Sequence, residues 1–174
     1  SKELIVEAGL EVNSQRRLNL LQGGLASSED TIYDRFRGRI MFPLFDANGK
    51  VIAFSGRFFE EMEGEARKIP SEPRAEPAKY INSPETPIFK KSRVLYGFDR
   101  AKNSIRKSDC ILLVEGQFDV ILSHQAGLPF AVASSGTAIT EEHLQLLSRL
   151  SKRLILALDG DTAGIRAGLK SALM

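Results

Sequence analysis

Two apolar segments that each run into acidic residues decide the fold of this chain: 111-ILLVEGQFDV-120 and 154-LILALDGD-161. The first segment leads into Glu115, and the second leads into Asp159 and Asp161. Short, continuous apolar runs of this kind are typical of strands buried in a parallel sheet. Helical spacing of apolar residues follows the first of them, so this part of the chain is predicted to contain βαβ units.

Strands and helices alternate throughout the last third of the sequence. The predicted strands cover 110–114, 130–134 and 154–158, and the predicted helices cover 117–126, 140–150 and 162–173. Thr140 is a predicted N-cap, and the two glutamates that follow it suit the positive end of a helix dipole. This order predicts a parallel sheet with helices on both faces.

The first two thirds have a different, mixed character. "RIMFPLF" (39–45) and "VIAFSGRF" (51–58) flank Asn48-Gly49, the strongest hairpin signal in the chain. Pro43 cannot donate to a strand ladder, so its strand is predicted to lie at a sheet edge or to carry a bulge. Further predictions are a short helix at 2–9, loop over most of 11–30, and an exposed loop at 60–76. No regular helix is expected around Pro84 and Pro87, and a helix is predicted within 93–108 with Phe98, Ala101 and Ile105 on one side.

These elements predict an α/β fold, α+β overall, in two parts. A basic N-terminal mixed α+β subdomain covers 1–108, and a subdomain with a parallel βαβ sheet covers 109–174. Basic residues exceed acidic ones in the first part, and acidic residues exceed basic ones in the second, although the net charge is only +2. This asymmetry favours a polyanionic ligand for the first part and a cation for the second.

Composition excludes several classes of protein. The chain has 174 residues, 43% hydrophobic and 26% charged, as is usual for a globular domain. No apolar run approaches the roughly 18 residues of a membrane span, so no membrane partner is expected. Cys110 is the single cysteine, which excludes an internal disulfide or a cysteine-based zinc site and favours the cytoplasm.

The acidic residues at the two strand ends predict a metal site. Sites in open α/β sheets lie beyond the carboxyl ends of strands, and three nearby carboxylates repel unless a cation binds them. Mg²⁺ prefers such oxygen ligands. There are simpler interpretations: Asp-Gly is common in turns, a glutamate at a strand end can be a solvated edge, and Asp119 suits a first helical turn. Two such stretches in one βαβ frame favour the metal site.

The acidic stretches "VEGQFD" and "ALDGD" together resemble the Toprim signature, which pairs a Glu-Gly motif with an Asp-x-Asp motif. That fold is shared by DNA primases of the bacterial DnaG type, type IA and II topoisomerases, and some nucleases and recombination proteins. Upstream, "DRFRGRIMFPLFD", "GKVIAFSGR" and "KYINSPETPIFKKSRVLYG", with "AVASSGTAIT" further on, resemble blocks of the RNA-polymerase core of a bacterial replicative primase. The resemblance runs from about Leu4 to the last residue.

The resemblance implies a role for each acidic position. Glu115 matches the Toprim glutamate, a metal ligand or general acid/base, and Asp159 and Asp161 match the aspartates that bind Mg²⁺ or Mn²⁺. Asp119 is a supporting acidic position. Gly116 and Gly160 leave room for a phosphate or metal. The implied reaction is attack of a ribonucleotide 3′-hydroxyl on the α-phosphate of the next triphosphate, with a two-metal site in the full domain and no zinc in this chain.

Basic residues of the first part are predicted to bind polyanions. Arg35, Arg37 and Arg39 alternate, so on a strand they would share one face, either as a phosphate-binding row or as a solvated surface. The resemblance implies a basic groove beside the carboxylates. It assigns Arg57 and Lys79 to the triphosphate, with Asn82 beside them, and Lys91 to nucleic acid. Lys90 and Arg93 are expected to contribute only to the general positive charge. Gly136 and Thr137 match a loop near the site. His124 and His143 have no partner at metal-ligand spacing.

Three hypotheses for the function remain open. The first is a primase catalytic core that makes RNA primers from ribonucleoside triphosphates on single-stranded DNA. The second is a noncatalytic nucleic-acid-binding piece, and the third is another Toprim enzyme, a nuclease or a topoisomerase. The chain is expected to be a fragment with a Toprim part truncated at its C-terminal end, monomeric, and linked to a replicative helicase through a domain that it lacks.

Overall fold

The computed structural model describes residues 19–27, 33–59, 78–136 and 138–159. Residues 19–22 are helical, and the chain then forms eight strands within these ranges: β1 (Ala26–Ser27), β2 (Tyr33–Asp34), β3 (Arg39–Phe45), β4 (Val51–Phe58), β5 (Tyr80–Asn82), β6 (Ile111–Val114), β7 (Ala131–Ala133) and β8 (Leu154–Ala157). The helices are a 3₁₀ helix at Lys91–Arg93, α1 (Phe98–Ser108), α2 (Gln117–Gln125) and α3 (Glu141–Ser148). The helices predicted at 2–9 and 162–173 and the loop predicted at 60–76 lie outside the described residues.

The chain divides into two compact units. The first contains Ser1–Pro43 and Ala53–Ile88, and the second contains Leu44–Ile52 and Phe89–Met174. Helix α1 therefore groups with the second unit, whereas the sequence placed it in the first subdomain. The domain boundary predicted after residue 108 stays a prediction.

Strands β3, β4 and β5 form a three-stranded sheet with β4 in the centre. The Asn48-Gly49 hairpin is confirmed: Gly49 has a φ of +82°, and the Asp46 carboxylate accepts the amides of Asn48 and Lys50 at 2.8 and 2.9 Å. The position of Pro43 is confirmed as well, because β3 is an edge strand of this sheet within the described ranges.

One prediction about the N-terminal part was wrong, and a second was wrong in part. The alternating arginines do not share a strand, because residues 35–38 form a turn with Gly38 at a φ of +66°, and β3 begins only at Arg39. Loop was expected over most of 11–30, but residues 19–22 are helical and Ala26–Ser27 pairs with β2. Alternation of charge is compatible with a turn as well as with a strand, so the pattern alone could not distinguish them.

The second unit contains the predicted parallel sheet. Its strand order is β7-β6-β8, and both ladders are parallel, with Leu113 of the central strand opposite Val132 and Leu156. Alternate residues of β6 pack in different clusters. The larger cluster combines Ile111 and Leu113 with buried residues of α1 and α3, and the smaller one combines Val114 with Val120 of α2 and Ala133. Helices therefore cover both faces, as predicted.

Helix α1 follows the predicted pattern closely, since Phe98, Ala101 and Ile105 are its buried residues. Thr140 is confirmed as the N-cap of α3, where its hydroxyl accepts the His143 amide. No helix in the described part of the chain combines the length and the apolarity of a membrane span.

Candidate functional sites: a carboxylate edge and a basic sheet face

Two of the predicted acidic residues meet at one edge of the parallel sheet. Glu115 directly follows β6, and Asp159 lies two residues beyond β8. Since Val114 and Ala157 are partners in the parallel ladder, the two strands end at the same level. The Asp159 amide donates to Glu115 Oε2 at 3.3 Å. We call Glu115 and Asp159 the carboxylate edge; Asp161 and Gly160 lie outside the described residues.

Asp119 has a structural contact next to this edge. Its Oδ2 accepts the Gly116 amide at 2.8 Å, which closes the first turn of α2 immediately after Glu115. A Cβ atom on Gly116 would lie 3.1 Å from the same oxygen, which is closer than ordinary van der Waals contact. The Asp119 carboxylate therefore stabilises the sharp strand-to-helix turn, and its predicted supporting role stays a prediction.

The loop after β7 is attached to the same strand end. The Ser135 amide donates to the Glu115 carbonyl at 3.2 Å, and Ser135 adopts a φ of +58°, which is uncommon for a residue other than glycine. The Ser135 hydroxyl is buried and has no hydrogen-bond partner among the described residues. Gly136 follows it in an exposed, left-handed position, and Thr137 lies outside the described ranges. The resemblance assigned Gly136 and Thr137 to a loop near the site, and that role stays a prediction.

The first unit presents a basic sheet face, formed by Arg57, Tyr80 and Asn82. Arg57 lies opposite Tyr80 in the antiparallel ladder, and Ser55 lies opposite Asn82. Opposite residues, and residues two apart on a strand, share a face, so these side chains lie on the same side of the sheet. The Arg57 guanidinium lies 5.7 Å from the Tyr80 ring centroid and 3.5 Å from its hydroxyl. Lys79 is exposed just before β5.

Ser83 fixes the chain where it leaves this face. It is 1% exposed, and its hydroxyl accepts the Phe54 amide at 3.0 Å while its own amide donates to the Phe54 carbonyl at 2.8 Å. The hydroxyl thus extends the ladder by one hydrogen bond before Pro84. Next to it, Asn82 Oδ1 is buried and has no hydrogen-bond partner within the described ranges. No sequence pattern indicated Tyr80 or Ser83, whose positions follow only from the register of the ladder.

We expect Ser83→Ala to lower the free energy of unfolding by about 1–3 kcal/mol, because the half-buried Phe54 amide loses its acceptor. Urea denaturation measures this change. Ser148→Ala is the matched control, since the Ser148 hydroxyl is exposed and donates only to a carbonyl of its own helix. That control should change the stability by no more than about 0.5 kcal/mol. Equal effects of the two substitutions would contradict the role given to Ser83.

The three alternating arginines do not form one cationic row. Arg39 Nη1 donates to the carbonyls of Gly56 and Ala78 at 3.1 and 2.9 Å, and its guanidinium lies 5.6 Å from the Phe58 ring centroid. Gly56 and Phe58 alternate with Arg57, so these contacts lie on the opposite face of the sheet. Burial also lowers the pKa of Arg39. Arg39 therefore stabilises the sheet.

Arg35 and Arg37 flank Phe36, which anchors their turn. A Cβ atom on Gly56 would lie 2.7 Å from Phe36 Cδ1, so this ring packs directly on the glycine, again on the face opposite Arg57. Arg37 is exposed, whereas Arg35 Nε is buried without a hydrogen-bond partner in the described part of the chain. The polyanion-binding role of the two arginines stays a prediction.

Lys91 lies in the second unit, in the 3₁₀ helix. It is half-buried, while the neighbouring Lys90 is exposed. Arg93 at the end of this helix makes an exposed ion pair with Glu142, with Nε and Oε1 3.2 Å apart. The carboxylate edge and the three basic residues of this segment thus belong to one unit.

Comparison with known proteins identifies both parts of the chain. Residues 109–173 match the model of the Toprim domain, the class of α/β domain that the parallel sheet and its acidic strand ends define. Residues 4–102 match the model described as "DNA primase catalytic core, N-terminal domain". The chain belongs to the DNA primase catalytic core family.

Named relatives agree with this assignment. A DNA primase of Listeria monocytogenes is 46% identical over 153 residues, which cover 87% of this chain and 22% of the relative. A DnaG primase catalytic domain solved bound to ssDNA has a TM-score of 0.79 at 38% identity, covering 97% of this chain and 48% of that one. The Escherichia coli primase catalytic core has a TM-score of 0.75 at 40% identity, covering 92% and 47%. The chain therefore spans about a fifth of its curated relative.

Toprim domains and primase cores use divalent metal ions. The donor set at the carboxylate edge fits such an ion, because Glu115 and Asp159 supply the hard oxygen ligands that Mg²⁺ and Mn²⁺ prefer. Within the described residues, no group of three or more His, Cys, Asp or Glu side chains is placed to hold a metal. The assignment of Glu115 and Asp159 as metal ligands stays a prediction, and Asp161 lies outside the described residues.

Proposed function

We propose that this chain is part of the catalytic core of a DNA primase. The activity is template-directed, metal-dependent synthesis of RNA primers from ribonucleoside triphosphates on single-stranded DNA, in the cytoplasm. The observation that carries the proposal is the contact between the Asp159 amide and the Glu115 carboxylate, which brings two acidic strand ends together in a chain of the primase family. The related DnaG domain that was solved bound to ssDNA supports the choice of template.

The carboxylate edge would hold the divalent ion, Mg²⁺ or Mn²⁺, with Glu115 and Asp159 as ligands described here and Asp161 as a further one. When bound, such ions lower the pKa of an attacking hydroxyl and neutralise charge on the transferring phosphate and the leaving group. The protein contributes by holding its own groups in place. The Asp159 amide orients the Glu115 carboxylate, while Gly116 and Asp119 fix the turn behind it.

The reaction is attack of a ribonucleotide 3′-hydroxyl on the α-phosphate of the incoming triphosphate, with pyrophosphate as the leaving group. The planar guanidinium of Arg57 can bind two phosphate oxygens, either of the triphosphate or of the template strand. The guanidinium lies over the Tyr80 ring, which holds it in place, so less rotamer freedom is lost when phosphate binds. Asn82 lies on the same sheet face as Arg57 and Tyr80, where its side-chain amide group can hydrogen-bond to a nucleotide. Lys79 and Lys91 add positive charge for triphosphate and template.

The test removes one charge from the basic sheet face. We expect Arg57→Ala to weaken binding of a labelled single-stranded oligodeoxynucleotide about tenfold and to reduce the slope of log K against log[salt] by about 1, as for a lost phosphate contact. Fluorescence anisotropy at several salt concentrations measures both quantities. Thermal unfolding shows whether loss of the Tyr80 contact has altered the fold.

Arg106→Ala is the matched control, because it removes an equal charge from an exposed position in the last turn of α1. It should leave the salt slope unchanged. An equal loss of affinity in both variants would mean that only the net charge of the protein matters, and the assignment of the basic sheet face would then be wrong.

A further inference from the structure

A short cationic segment, residues 90–93, is anchored at both sides. It contains Lys90 and the 3₁₀ helix Lys91–Arg93, with three cations in four residues. Phe89 before it and Leu95 after it are each only 2% exposed, so the ends of the segment are fixed in the interior. Its backbone conformation therefore decides where the basic side chains are presented.

Each residue of the 3₁₀ helix contacts the beginning of α3. Three contacts make this connection: His143 Nε2 to the Lys91 carbonyl at 3.1 Å, Thr140 Oγ1 to the Ser92 carbonyl at 2.7 Å, and Arg93 Nε to Glu142 Oε1 at 3.2 Å. The ion pair is exposed and contributes little. The two contacts to backbone carbonyls are the ones that determine the conformation of the segment.

The surroundings of His143 define the protonation of its ring. The Thr140 amide donates to His143 Nδ1 at 3.4 Å, so Nδ1 is unprotonated and Nε2 carries the proton that is donated to Lys91. The residue is 0% exposed, and this burial lowers its pKa and keeps the ring neutral at neutral pH. In return, Thr140 Oγ1 accepts the His143 amide at 3.1 Å. One ring thus caps α3 and holds the Lys91 carbonyl.

We propose that His143 is a positioning residue for nucleic-acid binding: its Nε2–H group holds the backbone of Lys91 so that the lysine side chain is presented to a DNA phosphate. The inference rests on the proposed function, since it deepens the role given to Lys91. A flexible lysine loses conformational entropy when it binds. Fixing its backbone through a buried group beforehand reduces that cost.

Two substitutions separate the capping task of His143 from its positioning task. In His143→Asn the amide oxygen can take the place of Nδ1 and accept from Thr140, but the side chain is too short to reach Lys91. In His143→Gln the amide nitrogen can take the place of Nε2 and donate to the Lys91 carbonyl. We expect His143→Asn to bind a labelled oligothymidylate about fivefold more weakly, the effect of one lost hydrogen bond. His143→Gln should remain within about twofold of the unchanged chain.

A double-mutant cycle with Lys91→Ala tests the positioning role itself. If His143 acts through Lys91, His143→Asn should cause no further loss of affinity in the Lys91→Ala background. If His143→Asn does not fold, NMR of the unchanged chain gives the same information: oligothymidylate should shift the His143 Nε2–H signal.

The outcomes distinguish the inference from the function on which it rests. An equal loss in both backgrounds, failure of His143→Gln to restore affinity, or an unmoved Nε2–H signal would overturn the positioning role. If Lys91→Ala still weakens binding in that case, the proposed function stands. If the unchanged chain fails to bind oligothymidylate, or Lys91→Ala and Arg57→Ala both bind normally, the proposed function is overturned together with the inference.

Discussion

Glu115→Gln and Asp159→Asn should each lower the affinity for Mn²⁺ in the presence of a nucleoside triphosphate at least about tenfold, because each removes one hard, charged ligand. Both changes keep the local geometry. A glutamine oxygen can still accept the Asp159 amide, and asparagine leaves that backbone amide in place. Isothermal titration calorimetry of the intact chain, with Mn²⁺ and triphosphate together and separately, measures the loss.

Glu141→Gln provides the matched control for this experiment. It removes an exposed carboxylate from the first turn of α3 and retains an oxygen that can accept the Gln145 side-chain amide. We expect this variant to bind metal and triphosphate like the unchanged chain. A similar loss in all three variants would indicate a general effect of negative charge, and normal binding by both edge variants would remove the carboxylate edge from the proposed mechanism.

Gly24→Ala should produce the largest loss of stability that we predict, about 3 kcal/mol, because it combines a left-handed backbone with a steric clash. Gly24 has a φ of +67°, and a Cβ atom there would lie 2.2 Å from Pro84 Cδ and 2.6 Å from Pro84 Cγ. The proline ring cannot rotate away as a flexible side chain would. Relief of the clash requires movement of the chain that follows Asn82, so binding of triphosphate should weaken as well.

Gly49→Ala separates the two causes. Gly49 has a similar φ of +82°, but a Cβ atom there would meet nothing within 4 Å. This control should lose only the stability that a left-handed backbone costs a residue with a Cβ atom, about 1–2 kcal/mol. Urea denaturation of both variants gives the difference. Equal losses of stability in the two variants would show that the chain at Pro84 moves aside with little loss of free energy. In that case the neighbouring Asn82 would not be held rigidly.

Local sequence patterns predicted most elements of the second unit. Helix α1 was predicted from Phe98, Ala101 and Ile105, which share one face at helical spacing and are all buried. The meeting of Glu115 with Asp159 followed from a general rule, since neighbouring parallel strands place their carboxyl ends at one edge. These predictions needed only interactions between residues close in sequence and the fixed geometry of a parallel sheet.

Local sequence patterns did not predict the positions of the basic residues. Arg35, Arg37 and Arg39 alternate, yet two of them lie in a turn and the third donates to sheet carbonyls on the face opposite Arg57. Alternating charged side chains share one face only where the backbone is extended. Here the chain forms a turn instead, with Gly38 in a left-handed conformation and the Phe36 ring packed on Gly56.

The sequence by itself thus determined the class of fold, the hairpin, the parallel sheet and the acidic residues at its edge. Only the tertiary structure decided that Ser83 completes the ladder at Phe54 and that the His143 ring holds the Lys91 carbonyl, 52 residues away in the chain. The physical reason is the range of the interactions. Periodicity and capping act within a few residues, whereas these hydrogen bonds form only after distant segments have packed together and excluded water.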